Sequence, residues 1–155
     1  MTNHSASNGW TATLRGQPKI GDQASRRRKT RNSDILRFTE ITGDRNPLHY
    51  DEAAASTRFG GLIVQGGVTS GLLNALVAED MPGPGTVFLE VQWKFVKAVR
   101  VGEEIVARAR VVAVRDDKPI CTLETTVTNR AGDLCLKGTV VTYTVPLKRR
   151  FGVTS

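Results

Sequence analysis

Leu62 to Val77 reads LIVQGGVTSGLLNALV, and within it Val64, Val68, Leu72 and Leu76 fall every four residues with Leu73 and Val77 beside them. That is the period of an α-helix. Phe59-Gly60-Gly61 at the entry and the pair Gly66-Gly67 place the start of the helix near Gly66. Few polar residues interrupt it, so the spacing predicts a helix buried on most of its sides. Pro82-Gly83-Pro84-Gly85 then ends the section.

Beyond Gly85 the rhythm changes from four to two. Over Thr86–Val99 the alternation puts Val87, Leu89, Val91, Trp93 and Phe95 on one face of a strand and Glu90, Gln92 and Lys94 on the other. Glu104–Arg115, Ile120–Thr128 and Leu134–Val145 read as three further strands, separated by Val101-Gly102, Asp116-Asp117-Lys118-Pro119 and the Gly132 turn. Upstream, Lys19–Thr30 offers a basic first strand. Asn32 or Ser33 can cap a helix to about Ile41, Gly43 can end it, and Asp51 can cap a short helix over Glu52–Ser56. One buried helix and an antiparallel meander imply an α+β domain, its sheet curled around the helix.

Composition bounds the function classes. A chain of 155 residues fits one domain of ordinary size. No apolar run approaches the roughly 20 residues that span a bilayer, and Met1 to Ser7 lacks the apolar core of a signal peptide, so a cytoplasmic location is expected. There are 22 Lys and Arg against 15 Asp and Glu, for a net charge of +7. The densest run, Arg26-Arg27-Arg28-Lys29, is followed by no nucleic-acid recognition motif, so no nucleic-acid partner is expected. A basic rim would instead steer the phosphates of an anionic ligand. Cys121 and Cys135 fall near Thr142 and Thr128 in a hairpin register, at opposite ends of the strand pair, so both read as reduced thiols. With no CxxC and two histidines, no metal site is expected. Residues 1–16, small and polar around a lone Trp10, read as a mobile arm; 17–147 as the domain; 148–155 as a basic tail.

The chemistry concentrates in Phe38 to His49, FTEITGDRNPLH. A carboxylate, Asp44, and an imidazole, His49, lie five residues apart around Asn46-Pro47, whose fixed φ holds the spacing by backbone geometry. An aspartate beside a histidine that titrates near neutrality is the minimum apparatus for polarising water. By residue type alone, Asp44 serves equally as a turn former and His49 as a ring satisfied by a backbone carbonyl.

Gly43-Asp44-Xaa-Asn46-Pro47-Xaa-His49 resembles the signature of the MaoC-like (R)-specific enoyl-CoA hydratases. The likeness continues through Asp51-Glu52-Ala53-Ala54, Phe59 to Gly67, Val91-Gln92-Trp93-Lys94-Phe95, Val101 to Ile105 and Arg115 to Pro119, so that it covers about Lys19 to Pro146. Gln65-Gly66 departs from the His-Gly of many members. The resemblance implies a hot dog fold, a curved five-stranded antiparallel sheet wrapped around a central helix. It also implies a homodimer.

What it implies for activity is reversible syn hydration of a trans-2-enoyl-CoA to a (R)-3-hydroxyacyl-CoA, without cofactor, with Asp44 and His49 holding the water. Gly43, Asn46 and Pro47 would support the loop. Gly66, or less directly Gly67, would offer a backbone N–H to the thioester oxygen; both glycines read equally well as permitting tight packing at the helix start. Helix phase from Gly66 brings Ser70, Asn74 and Val77 into line for an acyl pocket, with Asn74 either closing it or bonded in the dimer interface. The same site would suit a carrier-protein thioester dehydratase, and a non-catalytic acyl-thioester-binding subunit is the alternative of another class.

Overall fold

The computed structural model describes residues 8–148. In chain order the elements are β1 (Gln23–Lys29), α1 (Asn32–Thr42), a 3-10 turn (Pro47–His49), α2 (Glu52–Phe59), α3 (Gly66–Ala75) with a π-helical turn (Leu76–Asp80), β2 (Thr86–Phe95), β3 (Glu104–Val114), β4 (Ile120–Asn129) and β5 (Leu134–Thr144). The strands form one antiparallel sheet in the order β1-β3-β4-β5-β2. This is the hot dog arrangement.

Period-two burial explains the packing. Ile105, Ala107, Ala109 and Val111 of β3, Leu123 and Val127 of β4, and Leu136 and Val140 of β5 point to one face. Against that face lie Leu72, Leu73, Leu76 and Val77. The opposite side of α3 is open, since Gly66, Gly71 and Asn74 are exposed. The helix is therefore covered by its own sheet on one side only, less than the apolar spacing implied.

Strand β2 departs from the expected alternation. Its register against β5 shifts between Phe88 and Glu90, leaving Leu89 as an extra residue. Thr86 and Phe88 before the bulge, and Val91, Trp93 and Phe95 after it, lie opposite helix-side residues of β5. Val87 thus falls on the other face. Phe88 and Trp93 meet edge to face, centroids 5.6 Å apart, and Trp93 Nε1 donates to Thr125 Oγ1 at 3.0 Å. Between them on β5 only glycine fits, because a Cβ at Gly138 would come within 1.8 Å of the Gln92 carbonyl oxygen. Val87, Leu89, Val91 and Phe95 remain exposed along the free edge of β2.

Residues 8–16 are not a mobile arm. Trp10 is 1% exposed within the core, and its Nε1 donates to the Arg115 carbonyl at 2.7 Å. Gly9 N–H bonds the Asp116 carbonyl, Arg15 the Asp80 carbonyl, and Lys148 N–H the Ala12 carbonyl. A buried tryptophan removes some 150–250 Å² from water, on the order of 4–6 kcal/mol, enough to fix a short segment that has no periodicity of its own. The remainder of the expected arm, 1–7, and most of the basic tail, 149–155, lie outside the described residues.

Smaller expectations resolve in the same way. α1 begins at Asn32 with Arg31 as cap residue, and the Asp34 carboxylate reaches back to Arg31 N–H at 2.9 Å. The basic run on β1 is neutralised locally: Arg26 pairs with Asp80, Arg27 with Glu104 and Arg28 with Asp34. Cys121 lies opposite Thr142, as its spacing predicts. Cys135 sits beside Thr128 in a register shift, and both thiols are free and buried. Among the described residues no helix is long and apolar enough to cross a membrane.

Candidate active site

The motif loop is held by its own side chains. Gly43 ends α1 in the left-handed region at φ 80°, a conformation that costs glycine nothing, and its N–H bonds the Thr39 carbonyl at 2.7 Å. Asp44 Oδ1 then accepts from Asn46 N–H at 3.0 Å, and Asn46 Oδ1 from Leu48 N–H at 3.1 Å. Pro47 opens the 3-10 turn with its ring in place of a donor that would have been unpaired. Asn46 and Pro47 thus shape the turn, and Asp44 keeps Oδ2 free of hydrogen bonds within the loop.

His49 is 7% exposed, and its Nδ1 lies 2.7 Å from the Ile63 carbonyl oxygen. A carbonyl only accepts, so Nδ1 carries a proton and Nε2 is the ring atom left to face Asp44. Nε2 is 4.0 Å from Asp44 Oδ2. That is too long for a direct hydrogen bond. It leaves the two atoms facing one another, with room for a small group between them.

The third component comes from α3. His49, Ile63, Gly66, Thr69, Phe95 and Val99 line one cavity of about 290 Å³. No hydrogen bond among the described residues uses the N–H of Gly66 or Gly67, as the first turn of a helix dictates. The two glycines then separate. A Cβ at Gly66 would stand 3.1 Å from Phe95 at the cavity wall, whereas one at Gly67 would stand 2.2 Å from Phe38 Cε1 of α1. Gly67 is a packing residue; Gly66 presents its backbone to the cavity. A larger groove of about 580 Å³ on the other side of the sheet, between Gln92, Lys94, Glu124 and Lys137, contains none of the motif residues.

The imidazole and the unpaired helix N-terminus thus share one cavity, with the Asp44 carboxylate 4.0 Å from the imidazole. The family model described as a MaoC-like domain matches residues 16–132. The chain belongs to the MaoC-like domain family. A (R)-specific enoyl-CoA hydratase of Aeromonas caviae is 35% identical over 124 residues, 79% of this chain and 92% of that protein. The solved structure of the (R)-hydratase from A. caviae superposes with a TM-score of 0.78 at 32% identity, covering 83% of this chain and 98% of that one. A mitochondrial 3-hydroxyacyl-[acyl-carrier-protein] dehydratase of Solanum lycopersicum is 31% identical over 77% of this chain and 73% of its own length.

In this MaoC-like chain the expected acyl residues do not join the cavity beside His49. Ser70 is half-buried with its Oγ 3.5 Å from the Gly67 carbonyl, Asn74 is exposed, and Val77 is 1% exposed within the core. Thr69 and Phe95 line the cavity instead; Thr69, three residues from Gly66, is within reach of helix phase, whereas Phe95 lies on β2 and is not. Gln65, the departure from His-Gly, is 1% exposed and donates from Nε2 to the Ile35 carbonyl of α1 at 3.2 Å. Its Oε1 is buried without a partner among the described residues.

Proposed function

We propose that this chain catalyses reversible syn hydration of trans-2-enoyl-CoA to (R)-3-hydroxyacyl-CoA. The observation that carries the reading is the 4.0 Å gap between Asp44 Oδ2 and His49 Nε2, beside the cavity that Gly66 also lines. A water oxygen about 2.8 Å from both acceptors would donate one O–H to each at an angle near 90°, close to its own geometry, and keep its lone pairs for C3. As that oxygen bonds to C3, Asp44 takes a proton, His49 orients the water, and the C2–C3 π electrons move toward the C1 oxygen. The Gly66 N–H, at the positive end of α3, stabilises that oxygen as it becomes enolate-like. A proton returns to C2 from the same side, which makes the addition syn, and the thioester itself is the electron sink.

The (R) configuration is supported by the names of the similar hydratases. The carrier-protein dehydratase among the relatives supports a second reading, in which the same chemistry runs on a carrier-bound thioester. The working unit in this reading is a cytoplasmic homodimer. The free edge of β2, with Leu89 and Val91 exposed, and the uncovered side of α3 would both be closed by a second copy. The acyl chain would follow that side of α3 past Ser70 and Asn74.

The test is hydration of crotonyl-CoA and longer trans-2-enoyl-CoAs, followed by loss of enoyl absorbance and coupled to a stereospecific 3-hydroxyacyl-CoA dehydrogenase. Turnover only with the (R)-specific coupling enzyme supports the reading. Absence of turnover with every CoA and carrier-protein thioester overturns it and leaves the non-catalytic subunit.

A further inference from the structure

One side chain on α1 holds both ends of the catalytic loop. Thr39 is 5% exposed, and its Oγ1 bonds the Asp44 carbonyl oxygen at 2.7 Å and also the Tyr50 hydroxyl. The donors follow from chemistry. A carbonyl oxygen only accepts and threonine has one hydroxyl proton, so Thr39 donates to Asp44 and Tyr50 must donate to Thr39. The chain Tyr50 O–H to Thr39 O–H to Asp44 C=O is thereby one-directional, and each bond polarises the next.

Its anchoring points matter more than its strength. Asp44 begins the loop, and Tyr50 immediately follows His49, so the two bonds fix residues on either side of the 4.0 Å gap to a single rigid point. Thr39 makes a third link through its own carbonyl, which accepts from Gly43 N–H at 2.7 Å. One turn upstream, the Ile35 carbonyl receives the buried Gln65 amide, which ties α1 to the start of α3 and so to Gly66. The helix α1 is the common frame for the carboxylate, the imidazole and the oxyanion amide.

We propose that Thr39 and Tyr50 are positioning residues that set and maintain the distance between Asp44 and His49. The inference rests on the hydratase reading, and it adds two residues that touch neither water nor substrate. Displacement of a reacting group by about 1 Å can cost two orders of magnitude in rate, so a brace of this kind acts on kcat rather than on substrate binding.

The experiment uses the full chain and the variants Tyr50→Phe, Thr39→Val, Thr39→Ser and the Thr39→Val/Tyr50→Phe pair, with crotonyl-CoA as substrate. Tyr50→Phe and Thr39→Val are expected to lower kcat by about 10-fold to 100-fold with KM within about twofold. Thr39→Ser, which keeps the hydroxyl, should restore most of the rate, and the double variant should be no slower than the worse single one. The chain has two histidines, so ring proton signals assigned with His49→Ala report the loop directly. In Tyr50→Phe the His49 signal should broaden or double. Tyr50 is partly exposed, so that variant and Thr39→Ser decide the matter even where Thr39→Val does not fold. Wild-type kcat in Tyr50→Phe, or Thr39→Ser as slow as Thr39→Val, would overturn the brace while leaving the hydratase intact. An inactive wild type would remove the hydratase, and the His49 signal would then judge the brace: broadened in Tyr50→Phe it stands, unchanged it fails.

Discussion

The ring of Phe38 occupies the place that a side chain on Gly67 would need, with Cε1 2.2 Å from an ideal Cβ. α1 and α3 approach this closely only because position 67, next to Gly66, has no Cβ.

Gly67→Ala should therefore destabilise the fold by about 1–3 kcal/mol, the usual range for forcing extra atoms into a packed contact. Gly66→Ala, facing only the edge of the Phe95 ring at 3.1 Å, should cost less stability yet raise KM by narrowing the cavity. Urea denaturation and steady-state kinetics separate the two effects. Equal stability losses would show that the glycines have been assigned the wrong roles.

Asp44→Asn and His49→Ala should each reduce kcat by about 10²–10⁴-fold with folding and thioester binding largely preserved. Because both act on one water, the double variant should be little worse than the worse single one. Either variant turning over its best enoyl thioester at the wild-type rate would end the assignment.

A charge at the free edge of β2 tests the dimer. Val91→Lys and Leu89→Lys add a cation to a strand whose backbone pairs on one side only, and each should weaken self-association by about tenfold or more. Sedimentation velocity reads this directly. A wild type that sediments as a monomer at assay concentrations, or variants that still sediment as dimers, would place the interface elsewhere.

Burial pushes the thiols of Cys121 and Cys135 above their ordinary range, with the Thr142 hydroxyl partly offsetting this for Cys121. The folded state keeps protons that the unfolded thiols release near pH 8.5. The stability these groups contribute is complete below that value and is lost as pH rises past it. Between pH 7 and pH 10 the Tm of the wild type should fall more steeply than that of Cys121→Ala/Cys135→Ala. Parallel curves would show that the thiols are not coupled to folding.

Much of this architecture is legible in the residues themselves. The step of four from Val64 to Leu76 marks α3, Gly66-Gly67 marks its start, and turns at Asp116 to Pro119 and at Gly132 delimit strands that differ from expectation by a residue or so at each end. That Asp44 and His49 come close is legible in their spacing, because a stiff Asn-Pro turn converts separation in sequence into separation in space; the role expected of them comes from the resemblance. Leu89 was not legible as a bulge, since leucine sits as comfortably in a regular strand and only the register against β5 reveals the extra residue. Trp10 was missed because one large apolar residue among small polar ones has no period to betray it. Thr39 and Tyr50 were missed because hydroxyls eleven residues apart carry no pattern until the helix and turn between them have formed.

The hydrogen bond between Trp10 and Arg115 spans 105 residues. Its loop-closure entropy must be met before this contact contributes stability, whereas β3, β4 and β5 pair across short turns. The expected order is that the tryptophan docks after the folding barrier, as a latch on a sheet already assembled. Trp10→Ala should leave the folding rate nearly unchanged and speed unfolding by the whole of its stability loss, visible in the two arms of a chevron plot. Resistance to slow unfolding would then reside in a short segment that begins before the residues matched by the family model.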